Sequence, residues 1–157
     1  MRGLVRVGAA VPSLALGNVK ENMKRHLAMM REAKEKHVSI VTFPELSLTG
    51  YTCGDLFFQR RLLDDVTDAL LALKDEMPEG ILAVVGAPLE IEGALYNCAV
   101  VLHKGEIISA VPKTFLPNNG EFYEKRWFQS GDARRDASVA IPKLKTDVCR
   151  QAIFETE

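Results

Sequence analysis

Ser39-Ile40-Val41-Thr42-Phe43-Pro44-Glu45 is a short β-branched run that ends at a proline, with a carboxylate immediately beyond it. Such a run reads as a buried strand, and the proline, lacking an N–H and holding its own φ, turns the chain out into a loop. Upstream, Val19, Met23, Leu27 and Met30 stand at helical spacing, and Asn18 precedes them with Glu21 placed as in a capping box. This helix is expected to run to about Lys36. Before it, Leu4 to Val11 is small and β-branched until Pro12 stops it, which reads as a first strand. Strand, helix, strand is the order of a layered α/β protein.

Downstream, a glycine-rich aromatic loop (Gly50, Tyr51, Gly54, Phe57, Phe58) leads into Leu62, Leu63, Val66, Leu70 and Leu73. Their spacing predicts a second amphipathic helix that ends before Pro78 and Gly80. Ile81 to Ala87 reads as a buried strand, and Leu95 to Leu102 and Glu106 to Val111 as two more, joined by the turn signal His103-Lys104-Gly105. From Gly131 the pattern weakens, and no firm element is assigned to the end of the chain. The expected organisation is a partial domain over residues 1–130 followed by a tail of uncertain structure over 131–157.

The 157 residues are 47% hydrophobic and 26% charged, enough for one core and hardly for two. Twenty basic against twenty-one acidic side chains leave a net charge of −1, so binding driven by phosphate neutralisation has no support and nucleic acid is not an expected partner. No apolar stretch is long enough for a membrane helix, and the N-terminus lacks the features of a signal peptide, so a cytoplasmic protein is expected. Cys53, Cys98 and Cys149 are too widely and unevenly spaced for a disulfide framework or a zinc knuckle. His26, His37 and His103 are scattered, and no metal site is expected.

Two side chains stand out for chemistry. Glu45 follows a strand end, where open α/β sheets gather reactive groups, and Phe43 and Leu46 beside it would partly desolvate the carboxylate for proton transfer. A glutamate there could equally cap a turn or pair with a lysine. Lys113 holds the equivalent place after Pro112, where its ammonium could stabilise an oxyanion, although lysines at such positions are more often solvated. Glu121, in the aromatic and charged loop that follows, could orient Lys113 or simply face water. Tyr51, Phe57 and Phe58 could line a pocket or pack beneath their loop.

Three segments together resemble the nitrilase, or carbon–nitrogen hydrolase, superfamily: Val41-Thr42-Phe43-Pro44-Glu45 through Gly50-Tyr51, then Gly86-Ala87-Pro88 with Leu95-Tyr96-Asn97, then Pro112-Lys113-Thr114-Phe115-Leu116-Pro117-Asn118. Cys53-Gly54-Asp55-Leu56-Phe57 and the stretch from Glu121 to Phe128 are further similar to the N-terminal glutaminase domain of the glutamine-dependent NAD⁺ synthetase family. The resemblance implies part of a four-layer α-β-β-α sandwich and a Glu-Lys-Cys triad. In it Glu45 would be the general base, Lys113 the stabiliser of the tetrahedral intermediate and Glu121 the additional glutamate near the lysine. It also implies glutamine as substrate and a C-terminal synthetase domain, using ATP and Mg²⁺, in the parent protein. The glutaminase domain itself is implied to need no cofactor.

The family's nucleophilic cysteine lies beyond the lysine, at the end of a hydrophobic strand and before an acidic residue. No such segment is read here. Cys149 is the only cysteine after Lys113, set in Lys143-Leu144-Lys145-Thr146-Asp147-Val148-Cys149-Arg150, and the nucleophile is left unassigned. Cys53 and Cys98 are expected to serve packing. The chain is therefore expected to be an inactive N-terminal piece of such a domain that self-associates through sheet surface left open. The alternatives are another carbon–nitrogen hydrolase, acting on a different amide, nitrile or carbamoyl group, and an inert assembly module.

Overall fold

The computed structural model describes residues 4–133, 137–141 and 144–149. Strand β1 (Val7–Ala9) leads to helix α1 (Val19–Glu35) and strand β2 (Ile40–Thr42). A 3₁₀ turn (Gly54–Phe58) precedes helix α2 (Arg60–Glu76), and β3 (Leu82–Ile91), β4 (Ala94–His103) and β5 (Glu106–Pro112) follow. The short helix α3 (Glu124–Trp127), a second 3₁₀ turn (Gly131–Ala133) and strands β6 (Ala137–Ile141) and β7 (Leu144–Val148) complete the described elements.

One seven-stranded sheet collects the strands in the order β1-β2-β3-β4-β5-β7-β6. β1, β2 and β3 run parallel, β3 to β5 form an antiparallel meander, and β7 returns parallel to β5 with β6 antiparallel on its outer side. α1 and α2 pack together over one face. That face is the core: Val41, Ala83, Val85, Ala87, Val100 and Leu102 from the strands meet Leu27, Met30, Val66, Leu70 and Leu73 from the helices. Each fully buried aliphatic side chain there stabilises the fold by about 1.5–3 kcal/mol. The alternate strand positions, Ile40, Leu82, Val84 and Ala99, are only half-buried, and Val7 is exposed. A helix layer on a sheet layer makes up two of the four layers expected.

Several local readings need revision. β1 is shorter than the run from Leu4: its ladder with β2 covers Val7, Gly8 and Ala9, with Arg6 O and Ala10 N–H bonding across at its two ends. Asn18 caps α1 by accepting from the Glu21 N–H at 3.1 Å, but the Glu21 side chain turns to Arg25 instead of closing the box. β3 continues through Pro88 to Ile91, and Glu92 and Gly93, both at positive φ, turn it directly into β4. Paired positive φ values are what a two-residue hairpin requires. The region after Gly131, which had no assigned element, supplies two strands of the same sheet. Thr146 and Val148 are buried while Asp147 between them is exposed, the alternation of a strand with one covered face.

Candidate active site

Glu45 stands on a tight turn just past β2. Leu46 adopts φ 52°, Ser47 N–H returns to Pro44 O at 3.2 Å, and Leu48 N–H reaches Gly86 O on β3 at 3.1 Å. The turn lies so close to the sheet that a Cβ on Gly86 would be 2.3 Å from Pro44 O and 2.4 Å from Leu46 N, so glycine is the residue that fits. Lys113 is fixed by its backbone: its N–H donates to Asn97 O at 2.8 Å and its carbonyl accepts from Gly131 N–H at 2.9 Å.

These two anchors bring the charges together. Lys113 Nζ donates to Glu45 Oε1 at 2.8 Å and Oε2 at 3.0 Å, and to Glu124 Oε1 at 2.9 Å. Asn97 Nδ2 also donates to Glu45 Oε1. Tyr51 donates its phenolic O–H to Glu124 Oε1 at 2.6 Å. Glu124 is 1% exposed, and its second oxygen, Oε2, has no hydrogen-bond partner among the described residues. Glu45, with 38% of its side chain exposed, opens instead into a cleft of about 340 Å³ lined also by Phe43, Gly86, Asn97, Ala99 and Lys113.

The electrostatics follow from this arrangement. Burial pulls the Lys113 ammonium toward neutrality, but its bonds to Glu45 and Glu124 together outweigh that and hold its pKa above the ordinary lysine value. Burial and then the bond to Glu124 push the Tyr51 phenol well above its usual range, so it remains a donor. Two carboxylates around one cation leave an excess negative charge. Glu124 is enclosed, so of the two carboxylates it is Glu45 that meets a molecule in the cleft.

The glutamate beside Lys113 is therefore not Glu121. Glu121 is exposed on the turn before α3, whereas Glu124 at the start of α3 points inward. Tyr51 and Asn97 were legible as motif members but not as partners of these carboxylates. Phe57 is buried against Trp127 and Phe128, while Phe58 is exposed. Cys53 is buried, with its thiol donating to Thr49 O at 3.2 Å, and burial raises its pKa, as befits a packing residue. Cys98 is buried on β4. Cys149 lies just past β7, its N–H on Ala110 O at 3.2 Å, beside the strand that leads to Lys113. Val148 is buried alongside Ala110, so strand alternation turns Cys149 toward the opposite face, the one that carries Asn97 and Ala99.

A half-covered α/β sheet thus delivers an ion-paired carboxylate and lysine from its strand ends to one cleft. The chain belongs to the carbon-nitrogen hydrolase family, whose profile matches residues 6–156 and so extends past the boundary expected at residue 130. It is 41% identical over 134 residues to a glutamine-dependent NAD(+) synthetase of Mycobacterium tuberculosis, covering 85% of this chain and 20% of that protein. It is 36% identical over 157 residues to the protein of that name from Mycobacterium leprae, covering 98% and 22%. The chain thus spans about a fifth of the length of these relatives. Among solved structures, a glutamine-dependent NAD(+) synthetase from Cytophaga hutchinsonii superimposes with a TM-score of 0.85 at 28% identity, over 92% of this chain and 25% of that one. An amidase from Nesterenkonia sp. shares the fold, with a TM-score of 0.69 at 19% identity over 87% and 51%. No described helix is long and apolar enough to cross a membrane.

Proposed function

We propose that this chain carries the acid–base part of a site that hydrolyses the side-chain amide of glutamine, within a protein that passes the ammonia to ATP-dependent NAD⁺ synthesis. The observation that carries the reading is the Lys113 ammonium bridging Glu45 and Glu124 at the edge of a small cleft. The relatives' names supply the substrate and the downstream use.

A thiol attacks the amide carbon while Glu45 takes its proton, and Lys113 stabilises the oxyanion that forms. Glu45 returns the proton to the departing nitrogen, releasing ammonia and leaving a thioester. Glu45 then takes a proton from water, whose attack yields glutamate and restores the thiol. Tyr51 and Glu124 hold the lysine. Cys149 is the candidate thiol, at the end of the strand parallel to β5 and turned to the face of Asn97. ATP and Mg²⁺ belong to the synthetase part of such a protein, and no residue here is assigned to them.

The test is glutamate release from glutamine, set against short aliphatic amides and nitriles. Glu45→Gln and Lys113→Ala are each expected to reduce release by several orders of magnitude, and Cys149→Ala to abolish it. Preference for a simple amide would move the reading to another member of the family. No release and no thiol acylation would mean that the chain is an inert assembly piece. Activity that survives Cys149→Ala would exclude that cysteine.

A further inference from the structure

Beneath the Glu45 turn lies a buried polar pair that the hydrolytic reading leaves without a role. His26, midway along α1, and Ser47, two residues past Glu45, are both 0% exposed. The imidazole lies against Phe43, ring centroids 4.3 Å apart and planes tilted by 34°. Its Nδ1 is 2.7 Å from the Asn22 carbonyl and its Nε2 is 2.8 Å from Ser47 Oγ. A carbonyl can only accept, so Nδ1 carries a proton; in the neutral ring Nε2 is then the acceptor, and the Ser47 hydroxyl donates to it.

The same helix holds the next residue too. Asn22 Nδ2 donates to Leu48 O at 3.0 Å, while Gly86 O receives the Leu48 N–H from the sheet side. Between Glu45 and these fastened residues stands Leu46, at φ 52°. A branched side chain in that region is costly and persists only where its surroundings impose it. Two buried side chains of α1 and Gly86 of β3 hold the residues that follow it, beside the turn's own bonds from Thr49 and Gly50 N–H to Leu46 O.

We propose that His26, as the neutral Nδ1–H tautomer, is a positioning residue for Glu45, fastening Ser47 so that the strained turn directs the carboxylate onto Lys113. The inference rests on the reading of Glu45 and Lys113 as a working pair. Burial favours the neutral ring, lowering the histidine pKa against the opposing pull of the Asn22 carbonyl. Among the described residues the ring hydrogen-bonds to Asn22 on α1 and Ser47 in the turn and lies against Phe43 after β2, and none of these three ionises. Protonation would therefore leave an uncompensated buried cation, relieved when the turn opens and admits water.

The experiment is nitrogen NMR of the His26 ring and the Lys113 ammonium in the whole chain as pH is lowered. The expected result is an Nδ1–H ring at neutral pH and a Lys113 signal that shifts in acid with the same midpoint as His26. His26→Gln, neutral and able both to donate to Asn22 and to accept from Ser47, should keep the neutral-pH Lys113 signal and abolish the acid inflection. His26→Leu and Ser47→Ala should move that signal toward the one seen in Glu45→Gln. An Nε2–H tautomer, or a Lys113 signal unmoved in Ser47→Ala, would overturn the proposal. Should His26→Leu fail to fold, the wild-type tautomer and Ser47→Ala still decide. Coupling is read on the ammonium and not on turnover, so a chain that hydrolyses no glutamine overturns the functional reading and leaves this result standing.

Discussion

Lys113 directs its ammonium onto two carboxylates of unequal exposure, and that inequality divides their roles. Glu45 faces the cleft; Glu124 is enclosed and receives Tyr51 and Lys113 on a single oxygen. Removing the phenolic donor leaves a buried carboxylate with one partner fewer, a loss that typically costs about 1–3 kcal/mol. Tyr51→Phe is therefore expected to lower the midpoint of thermal unfolding and to raise the Lys113 pKa further, because Glu124 then leans on its ammonium alone. A Lys113 titration that moved the other way would contradict the assignment. Glu45 and Lys113 were legible in the sequence because each directly follows a proline that closes a β-branched run. The choice of Glu124 over Glu121 was not, since both lie in one charged aromatic stretch, and only the inward start of α3 separates them.

Elements explain why that pair meets. The turn after β2 lies flat on β3 at Gly86, with no room for a side chain between them. Gly86→Ala must displace Pro44 or Leu46 backbone, and forcing an extra carbon into a packed interior costs about 1–3 kcal/mol. The expected outcome is a less stable chain in which the Glu45 bond to Lys113 is weakened, visible as a lower unfolding midpoint and a shifted Lys113 ammonium signal. An unchanged signal would show that the turn can move without carrying Glu45 with it. Asp55 forms a comparable brace on the other side, accepting from Arg126 Nε at 2.7 Å and Trp127 Nε1 at 3.0 Å and so tying α3 to the 3₁₀ turn. α1 and α2 could be read from apolar spacing alone. The β3–β4 hairpin could not, because Pro88 resembles a strand stop; the pairing of Pro88 with Asn97 shows that the ladder tolerates it. β6 and β7 were hidden for a different reason: strands of five residues owe their structure to the neighbour they pair with, which no local pattern encodes.

At the scale of the whole molecule the two faces of the sheet differ. One is sealed by α1 and α2; the other presents Val7, Ile40, Leu82, Val84 and Ala99 in register, exposed or half-buried. Apolar surface arranged in this way gains free energy when covered, and β1, the outer strand of the sheet among the described residues, offers backbone groups on its far side for a further strand to pair with. The chain is therefore expected to self-associate at micromolar concentrations, with light scattering giving a mass of a dimer or more. Val7 is 67% exposed, so Val7→Lys should leave the core untouched while placing a charge on this face. That variant is expected to shift the population toward the monomer without changing the unfolding midpoint measured at high dilution. A wild-type chain that stays monomeric and folded at high concentration would mean that the half-buried positions are already shielded enough, and that this face does not seek a partner.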